Sequence, residues 1–233
     1  MRANVVGITY YPVKGCAGVA LTEAAVTPEG LLGDRAWAVA DDRGDLRWQG
    51  ADPRLAVIAP QARDDGGLTL RAPDTEPLTV TGPGPDADAW LTRFLGRPSR
   101  LVRTSAGSAS RLHLVSRASL DALNRRIAAR GAAPLPMTRF RPNLVVDGWT
   151  APHTEDGTPR LTVAGTELAL TELTVRCAVT LVDQSTGRRA GPEPLRTLAD
   201  YRRADGGGVV FGAYFAVRRP GRVALGDEVI PTG

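Results

Sequence analysis

The chain has 233 residues, of which 42% are apolar and 23% charged. These are the values of an ordinary globular protein that is long enough to bury a core. The formal net charge of +4 comes from arginines spread along the sequence rather than from a basic run, so we expect no nucleic-acid binding. The N-terminus lacks the pattern of a signal peptide, and no run of about eighteen apolar residues occurs. We therefore expect a cytoplasmic protein that does not cross a membrane.

Most of the chain consists of short alternating or β-branched runs separated by Gly, Pro and Asp, which predicts a mainly β protein of the α+β class. Three stretches predict helices instead: "DADAWLTRFLG", which stops at Gly96, "SLDALNRRIAARG", with Ser119 as N-cap, and "PLRTLADYRR", which opens with Pro194. The polar segment "RTSAGSASR" favours a boundary near residue 105. We therefore expect an N-terminal β domain over 1–105 and a C-terminal β-rich domain over 106–233.

Cysteine and histidine are scarce, since the chain has only Cys16, Cys177, His113 and His153. No pair of these residues has the spacing of zinc ligands. Two cysteines cannot supply the four thiolates that an iron–sulfur cluster needs. In a cytoplasmic protein, a disulfide is also the less expected use of the two cysteines.

The stretch "YPVKGCAG" contains Lys14, the only lysine among 29 basic residues. Gly15 and Gly18 allow backbone amides to approach a ligand closely. A compact ammonium suits a phosphate group and is not interchangeable with a guanidinium there. The alternative is a surface loop with an incidental lysine.

In "GDRAWAVADDRG", alternation places Arg35, Trp37 and Val39 on one face of a strand, with Arg35 at the beginning of that strand. A guanidinium there suggests an anion site. The alternative is an ion pair between Arg35 and either Asp34 or Asp41 at the end of the strand.

In "FRPNLVVDG", Pro142 disfavours helical dihedrals at Arg141 and predicts extended ones, which puts Arg141 and Asn143 on the same side. A planar fork of donors beside an amide suits a phosphate or the edge of a pterin. The alternative is a simple Asn turn after the proline.

In "VRCAVTLVDQSTG", alternation predicts that Cys177 lies in a strand with Val175 and Val179 on its side and Arg176 on the other. One interpretation is that Cys177 is a small buried hydrophobic residue. The other is a thiolate that acts as a soft metal ligand or as a nucleophile.

In this order and spacing, the stretches resemble the MOSC superfamily, in the branch that has an N-terminal β-barrel domain and includes the amidoxime-reducing components. The matching motifs are at residues 11–16, 33–37, 118–124, 140–143 and 176–187, and the resemblance continues to the end of the chain. The resemblance implies an N-terminal β-barrel domain over 1–105 and a MOSC β-barrel with a few helices over 106–233. The family label also includes pyridoxal phosphate binding.

The resemblance implies a molybdenum cofactor, a pterin that carries a dithiolene and a phosphate, with Cys177 as the protein ligand to molybdenum. It further implies a set of cofactor-binding residues: Lys14, Gly15, Arg35, Ser116, Arg141, Asn143, Val175 and Arg176. Gly15 and Val175 depart from the family pattern, which has serines at these two positions. Each departure removes a hydroxyl from the site.

The implied reaction is the two-electron reduction of an N–O bond in a small N-hydroxylated substrate, with Asp183 as a catalytic acid or, alternatively, as the residue of an Asx turn. Because cluster cysteines and a Gly-rich dinucleotide motif are missing, we expect electrons from a separate flavoprotein and ferredoxin or from a cytochrome-type donor. We expect a monomer. Two other functions stay open: a non-catalytic cofactor carrier, and a sulfur carrier that uses a Cys177 persulfide.

Overall fold

The computed structural model describes residues 2–104 and 111–232, so the boundary predicted near residue 105 lies outside the described residues. Within these ranges the chain forms three α-helices: α1 Pro85–Leu95, α2 Arg117–Ala128 and α3 Leu195–Tyr201. Short 3-10 helices are Pro53–Val57, Met137–Phe140, Thr154–Gly157 and Ala178–Leu181. Strands make up most of the regular structure, and the mainly β class predicted from the sequence is confirmed.

The strands follow one another along the chain with few helices between them. The first nine are β1 Ala3–Tyr10, β2 Val19–Leu21, β3 Glu23–Thr27, β4 Gly30–Leu31, β5 Trp37–Ala40, β6 Ala59–Ala62, β7 Leu68–Arg71, β8 Leu78–Val80 and β9 Arg100–Arg103. The others are β10 Leu112–Ser116, β11 Leu144–Asp147, β12 Arg160–Val163, β13 Thr166–Arg176, β14 Val182–Asp183, β15 Arg188–Arg189, β16 Val209–Arg219, β17 Gly221–Ala224 and β18 Glu228–Thr232.

Seven strands close into a barrel in the order β1, β11, β10, β16, β13, β12, β18 and back to β1. Neighbours in the barrel are antiparallel except for the parallel pair β10 and β11. The longest pairing joins β13 to β16 and runs from Glu167 opposite Arg219 to Arg176 opposite Val209. Its register shifts at several points, and such bulges bend a strand and change the direction of its side chains.

The barrel encloses one hydrophobic core, to which most of its strands contribute alternate residues. In β1, for example, Ala3, Val5 and Ile8 are buried, and they meet Leu144 of β11 and Phe215 of β16 in the same cluster. Burying a leucine or phenylalanine side chain of this kind stabilises the fold by about 1.5–3 kcal/mol. The interior is therefore a packed core, and ligands must bind outside it.

A second hydrophobic core lies in the N-terminal part of the chain. There α1 packs against two small sheets, one of β5 and β9 and one of β6, β7 and β8. The helix follows the sequence prediction, since Trp90, Leu91 and Phe94 are buried and the helix ends at Gly96 in the left-handed conformation. This core also contains Cys16.

The N-terminal and C-terminal parts of the chain share sheets. Strand β1 completes the barrel formed by the C-terminal strands, and β3 pairs with β17. These pairings anchor the segment after β1 and the segment after β4 on the barrel. As a result, the residues near positions 11–15 and 33–35 lie beside the ends of barrel strands.

The third core lies outside the barrel, where α2 and α3 pack around Phe140 and Phe211. The prediction of Ser119 as N-cap of α2 is wrong, because the helix begins one turn earlier. Ser116 is the N-cap, and its Oγ accepts a hydrogen bond of 3.2 Å from the backbone N of Ser119. The helix starts there because β10 ends at Ser116 and its chain turns directly into the helix.

Candidate functional site

A pocket of about 230 Å³ brings together most of the site residues that the sequence indicates. Its walls come from the loops of the N-terminal part and from the ends of barrel strands. The predicted residues in the lining are Lys14, Gly15, Arg35, Arg141, Val175, Arg176 and Cys177. The residues that the sequence did not indicate are Trp48, Gln49, His113, Phe140, Thr174, Val179 and Tyr214.

The loop that carries Lys14 is held against the segment that carries Arg35. The backbone N of Lys14 donates to the carbonyl of Trp37 at 2.7 Å, and the backbone N of Arg35 donates to the carbonyl of Tyr11 at 2.7 Å. Gly15 has a φ of 81°, which favours glycine over any residue with a β-carbon. This backbone ladder fixes the spacing of the two basic side chains.

Arg35 does not lie in a strand, so the prediction that it shares a strand face with Trp37 and Val39 is wrong. The turn at residues 33–34 extends through Arg35, which has a φ of 53°, and β5 begins only at Trp37. Its guanidinium pairs with the carboxylate of Asp34, as the alternative interpretation predicted. Burial opposes the charged form, but Asp34, Tyr11 and Tyr214 together more than offset this effect and raise the pKa of Arg35.

Asn143 lies behind the wall of the pocket and holds this ion pair in place. Its Nδ2 donates to Oδ2 of Asp34 at 3.2 Å, and its Oδ1 accepts from Nη1 of Arg35 at 3.4 Å. The same Oδ1 accepts from the backbone N of His113 at 3.2 Å. Asn143 therefore orients a pocket residue, and it is not part of the lining itself.

Arg141 adopts the left-handed conformation, with a φ of 54° and a ψ of 49°, so the prediction of extended dihedrals is wrong. Proline at 142 disfavours the right-handed helical region for Arg141, and the left-handed region ends the 3-10 helix Met137–Phe140 in the manner of a C-cap. Nη1 of Arg141 donates to Oε1 of Gln184 at 3.1 Å, and its guanidinium lies 4.1 Å from the ring centroid of Tyr11.

The pocket has more buried positive charge than the protein neutralises. Within residues 2–104 and 111–232, neither Arg141 nor Arg176 forms a salt bridge. Burial lowers the pKa of both side chains, and the positive charge of Arg35 lowers it further. A bound anion would relieve this imbalance.

Unpartnered polar atoms in the pocket wall fit the same conclusion. Four lining residues each carry a buried polar atom without a hydrogen-bond partner: Nε2 of His113, Nη2 of Arg141, Oγ1 of Thr174 and Nε of Arg176. Such groups are rare in native proteins, because each one costs free energy unless a ligand or water satisfies it. The residues therefore suit a polar anionic ligand with several acceptor atoms, such as a phosphorylated pterin.

Cys177 lies one residue beyond the end of β13 and starts the 3-10 helix Ala178–Leu181, so the predicted strand position is wrong. Its side chain is exposed at the rim of the pocket, which also excludes the interpretation of a buried hydrophobic residue. An accessible thiol can act as a soft metal ligand or as a nucleophile. Cys16, in contrast, is fully buried, and burial raises the pKa of its thiol to about 12.

Asp183 does not line the pocket, and its hydrogen bonds favour the Asx turn over the predicted catalytic acid. Its Oδ1 accepts hydrogen bonds from the hydroxyl of Ser185 at 2.6 Å and from the backbone N of Thr186 at 3.0 Å. The hydroxyl of Ser185 and these backbone amides lower the pKa of Asp183 to about 2, so the carboxylate holds no proton at neutral pH. The Asx turn, which was the alternative, describes this residue correctly.

Ser116 does not line the pocket. Besides capping α2, this fully buried residue donates through its backbone N to Oε1 of Glu155 at 3.1 Å. The hydroxyl of Ser119 also donates to Oε1 of Glu155, at 2.7 Å. These contacts give Ser116 a structural role at the start of the helix, and we no longer assign it to cofactor binding.

Two glutamines that are not among the predicted site residues connect the two halves of the site. Gln49 is fully buried, and its Nε2 donates to the carbonyl of Gly15 at 2.7 Å and to Oε1 of Gln184 at 3.1 Å. Gln184 returns a hydrogen bond of 3.0 Å to Oε1 of Gln49. Because Gln184 also accepts from Arg141, this pair joins the Lys14 loop to the Arg141 turn.

Two further observations concern metal binding and membrane insertion. In the part of the chain that the structure describes, no group of three His, Cys, Asp or Glu side chains is arranged to hold a metal ion. None of the helices in the same ranges is long and apolar enough to cross a membrane.

The chain is a β-barrel protein with an arginine-lined pocket at the rim of the barrel, beside an exposed cysteine. Comparison with known families makes the class specific. The MOSC domain matches residues 102–230, and the MOSC N-terminal beta barrel domain matches residues 2–94. The chain therefore belongs to the MOSC domain family, as the sequence motifs indicated.

Named relatives cover nearly all of the chain. It is 32% identical to mitochondrial amidoxime-reducing component 1 of Mus musculus over 99% of this chain and 82% of that protein. It is 30% identical to the Homo sapiens protein of the same name over 99% of this chain and 83% of that protein. The molybdenum cofactor sulfurase of Danio rerio is 29% identical over 95% of this chain, which corresponds to only 33% of that longer protein.

Proposed function

We propose that the protein binds a molybdenum cofactor in the arginine-lined pocket and reduces N-hydroxylated small molecules with electrons from a separate donor protein. The observation that carries the proposal is one juxtaposition: the exposed thiol of Cys177 beside the buried, unneutralised guanidinium groups of Arg141 and Arg176. The names of the relatives support a role connected with the molybdenum cofactor.

The lining residues would divide the cofactor between them according to their chemistry. Lys14, Arg35, Arg141 and Arg176 would hold the phosphate and the polar edge of the pterin, since charge-assisted hydrogen bonds to such groups are short and strong. The soft thiolate of Cys177 would be the protein ligand to molybdenum. When bound, the cofactor would supply the two-electron redox chemistry that reduction of an N–O bond requires.

Gly15 and Val175, which replace the two serines of the family pattern, differ in the groups that they offer a ligand. Gly15 keeps its backbone amide in the loop, and its carbonyl is fixed by Gln49. Val175 presents an apolar side chain at the rim of the pocket instead of a hydroxyl. We therefore expect cofactor binding to persist at Gly15, while Val175 changes the surface that meets the substrate.

Protons for the reaction would come from solvent rather than from a side chain in the pocket. Asp183 is ionised and does not line the pocket, and no carboxylate belongs to the described lining. His113 is kept neutral, because burial lowers its pKa well below the ordinary value. We therefore assign the proton supply to water at the open rim beside Cys177, with neither a carboxylate nor a histidine as donor.

The electron donor would be a separate protein, a flavoprotein and ferredoxin pair or a cytochrome-type carrier. This protein has a net charge of +4, so its electrostatic field would steer an acidic donor toward it. A sulfur carrier is the second candidate, favoured by the exposed thiol of Cys177, which could hold a persulfide without any metal.

The test is to replace each cysteine in turn in a host that makes the cofactor. Molybdenum is measured by elemental analysis, and the reduction of an amidoxime is measured with a reduced viologen as donor. We expect the activity of Cys177→Ser to fall about tenfold or more, because the metal loses its thiolate ligand. Cys16→Ala is the matched control, because this thiol is fully buried and does not line the pocket, and the variant should keep full activity.

Different results would support different functions. If the parent protein holds molybdenum and pterin but reduces nothing, it is a cofactor carrier. If it holds neither and carries a persulfide on Cys177, it is a sulfur carrier. Full activity in Cys177→Ser would contradict the assignment of this residue.

A further inference from the structure

Two large apolar side chains stand exposed at the rim of the cofactor pocket. Trp48 is 43% exposed and Val175 is 57% exposed, and both line the same pocket as the exposed Cys177. A single exposed apolar residue means little on a protein surface. Two of them that flank one reactive thiol define an apolar rim around an otherwise cationic pocket, and we call this pair the apolar rim.

The position of Trp48 is fixed by its own segment of chain. Its carbonyl accepts hydrogen bonds from the backbone N of Ala51 at 3.0 Å and of Asp52 at 2.9 Å, which closes a tight turn. The next residue, Gln49, is fully buried in the hydrogen-bonded pair with Gln184 described above. The backbone of Trp48 is therefore held rigidly at the edge of the pocket.

The indole ring of Trp48 lies flat over Gly50. A β-carbon built on Gly50 would come within 1.8 Å of the ring, so the ring occupies the space that any side chain would need. The carbonyl of Gly50 also accepts a hydrogen bond from the guanidinium of Arg189. One face of the ring is thus packed and the ring keeps 43% of its surface exposed, which is the arrangement of a platform for stacking.

Val175, which lines the same pocket, is also held by its neighbours. It pairs with Val210 across the β13–β16 ladder, and its Cγ1 would lie 2.9 Å from a β-carbon on Gly208. The absence of a side chain at Gly208 leaves room for the valine. Its exposed methyl groups cannot accept or donate a hydrogen bond to a polar substrate.

The charge of the pocket indicates that the cofactor and the substrate would bind at different places. A cavity of about 230 Å³ leaves no room for a second ligand once a cofactor occupies it. Its cationic wall suits the anionic cofactor, and a substrate that reaches Cys177 must then place the rest of its body over the rim. There it meets an indole face and a valine.

We propose that Trp48 and Val175 select substrates, so that the protein prefers uncharged N-hydroxylated compounds with a flat aromatic body to small aliphatic ones. Trp48 is the specificity-determining residue, because stacking requires its ring, and Val175 adds a second apolar surface to the rim. This inference rests on the proposed function, since it concerns the substrate of the same site.

The test separates binding from turnover. Protein purified from a cofactor-making host is titrated, without any electron donor, with benzamidoxime and with acetamidoxime, which carry the same reactive group on an aromatic and on a small aliphatic body. We expect the aromatic compound to bind about three- to tenfold more tightly, the range that stacking on an indole gives. Trp48→Ala should remove this preference, and Trp48→Phe should restore part of it.

Leu225→Ala is the control variant, because Leu225 is 44% exposed and does not line the pocket. It should leave both affinities unchanged. Circular dichroism checks that each variant is folded, and Trp48→Phe keeps an aromatic ring at the site if the alanine variant does not fold.

With a reduced viologen added, Trp48→Ala should raise KM for the aromatic substrate and leave kcat within about twofold, because the ring holds the body of the substrate and not the reacting group. An aromatic preference in binding without any turnover would support the inference and contradict the proposed function. Turnover with equal affinities for both compounds, or no change in Trp48→Ala, would overturn the inference. It would also be overturned if Trp48→Ala changed only the KM for a donor protein, since the rim would then be the surface that the donor binds.

Discussion

Replacing Arg141 by methionine separates a structural role of this residue from a binding role. The side chain is only 8% exposed, and it forms no salt bridge within the described residues. Methionine has a similar length and keeps a β-carbon, so the left-handed backbone at this position is strained to the same degree. The substitution therefore removes the charge and little else.

The expected effect on the protein without cofactor is a near cancellation. The variant loses a charged hydrogen bond to Gln184, of about 1.5–3 kcal/mol, and a cation–π contact with Tyr11, of about 0.5–2 kcal/mol. Against this, it no longer buries an unpaired guanidinium, which costs several kcal/mol. Gln184 keeps a donor, since Nε2 of Gln49 also reaches its Oε1. We expect the free energy of unfolding to change by less than about 1 kcal/mol, or less than about 4 °C in Tm.

The expected effect on cofactor binding is large. Loss of one charge-assisted hydrogen bond costs about 1.5–3 kcal/mol, which corresponds to a roughly ten- to hundredfold weaker affinity. The assay compares thermal unfolding of protein from a host that cannot make the cofactor with pterin content after purification from a host that can. Pterin is released, oxidised and measured by fluorescence.

Arg139→Met is the matched control. Arg139 is also a buried arginine, but it donates to the carbonyl of Thr180 at 3.3 Å and does not line the pocket. This variant should retain its pterin. The reasoning about Arg141 is refuted if Arg141→Met keeps full pterin content, or if the cofactor-free variant loses about 3 kcal/mol or more, the cost of breaking a true buried ion pair.

Three other outcomes follow from the same geometry. Asp183→Ala should lower Tm and leave the rate of amidoxime reduction within about twofold, because this carboxylate orders a turn and holds no proton at neutral pH. Stability should rise with pH between about 4 and 6.5, because burial lowers the pKa of His153 from 6.5 to about 4 and only the unfolded chain is protonated there; unfolding in urea should show a flatter pH profile for His153→Gln. Reduction driven by an acidic donor protein should slow as salt rises while the viologen-driven rate stays constant, and a salt-independent protein-driven rate would contradict electrostatic steering.

The local motifs, and the family resemblance that they carry together, single out Lys14, Arg35, Arg141 and Cys177 as candidate site residues. The structure places these residues around one pocket. It also confirms the mainly β class and the first helix, whose apolar spacing and terminal glycine are local properties. What local pattern determines, the sequence predicts well.

The errors arose where the backbone departs from the regular geometry of a strand. Alternation places Arg35 and Cys177 inside strands, but β5 begins two residues after Arg35 and β13 ends one residue before Cys177. The pre-proline rule excludes one region for Arg141 and does not choose between the other two. Each choice depends on hydrogen bonds to segments that are distant in sequence, such as Asp34 with Asn143.

The pair of Gln49 and Gln184 was missed in the sequence because it depends on contacts between distant segments. Gln49 and Gln184 are 135 residues apart, and neither stands in a pattern that suggests burial or pairing. Only the closed barrel and the folded N-terminal part bring them within hydrogen-bond distance. Their role at the site was therefore not accessible from any local motif.

The left-handed backbone at Arg35 and Arg141 explains how the pocket holds its cations before a ligand arrives. Each non-glycine residue in this conformation costs about 1–2 kcal/mol, and the surrounding hydrogen bonds must offset that cost. The backbone N of Arg35 donates to Tyr11 and that of Arg141 to Thr138, so both residues are held by their own main chains rather than by the anion they would bind. Because the fold fixes these backbones in advance, an anion bound in the pocket would not first have to order them. The guanidinium of Arg35 is already paired with Asp34, so Arg141, which forms no salt bridge within the described residues, would contribute the larger share of the attraction.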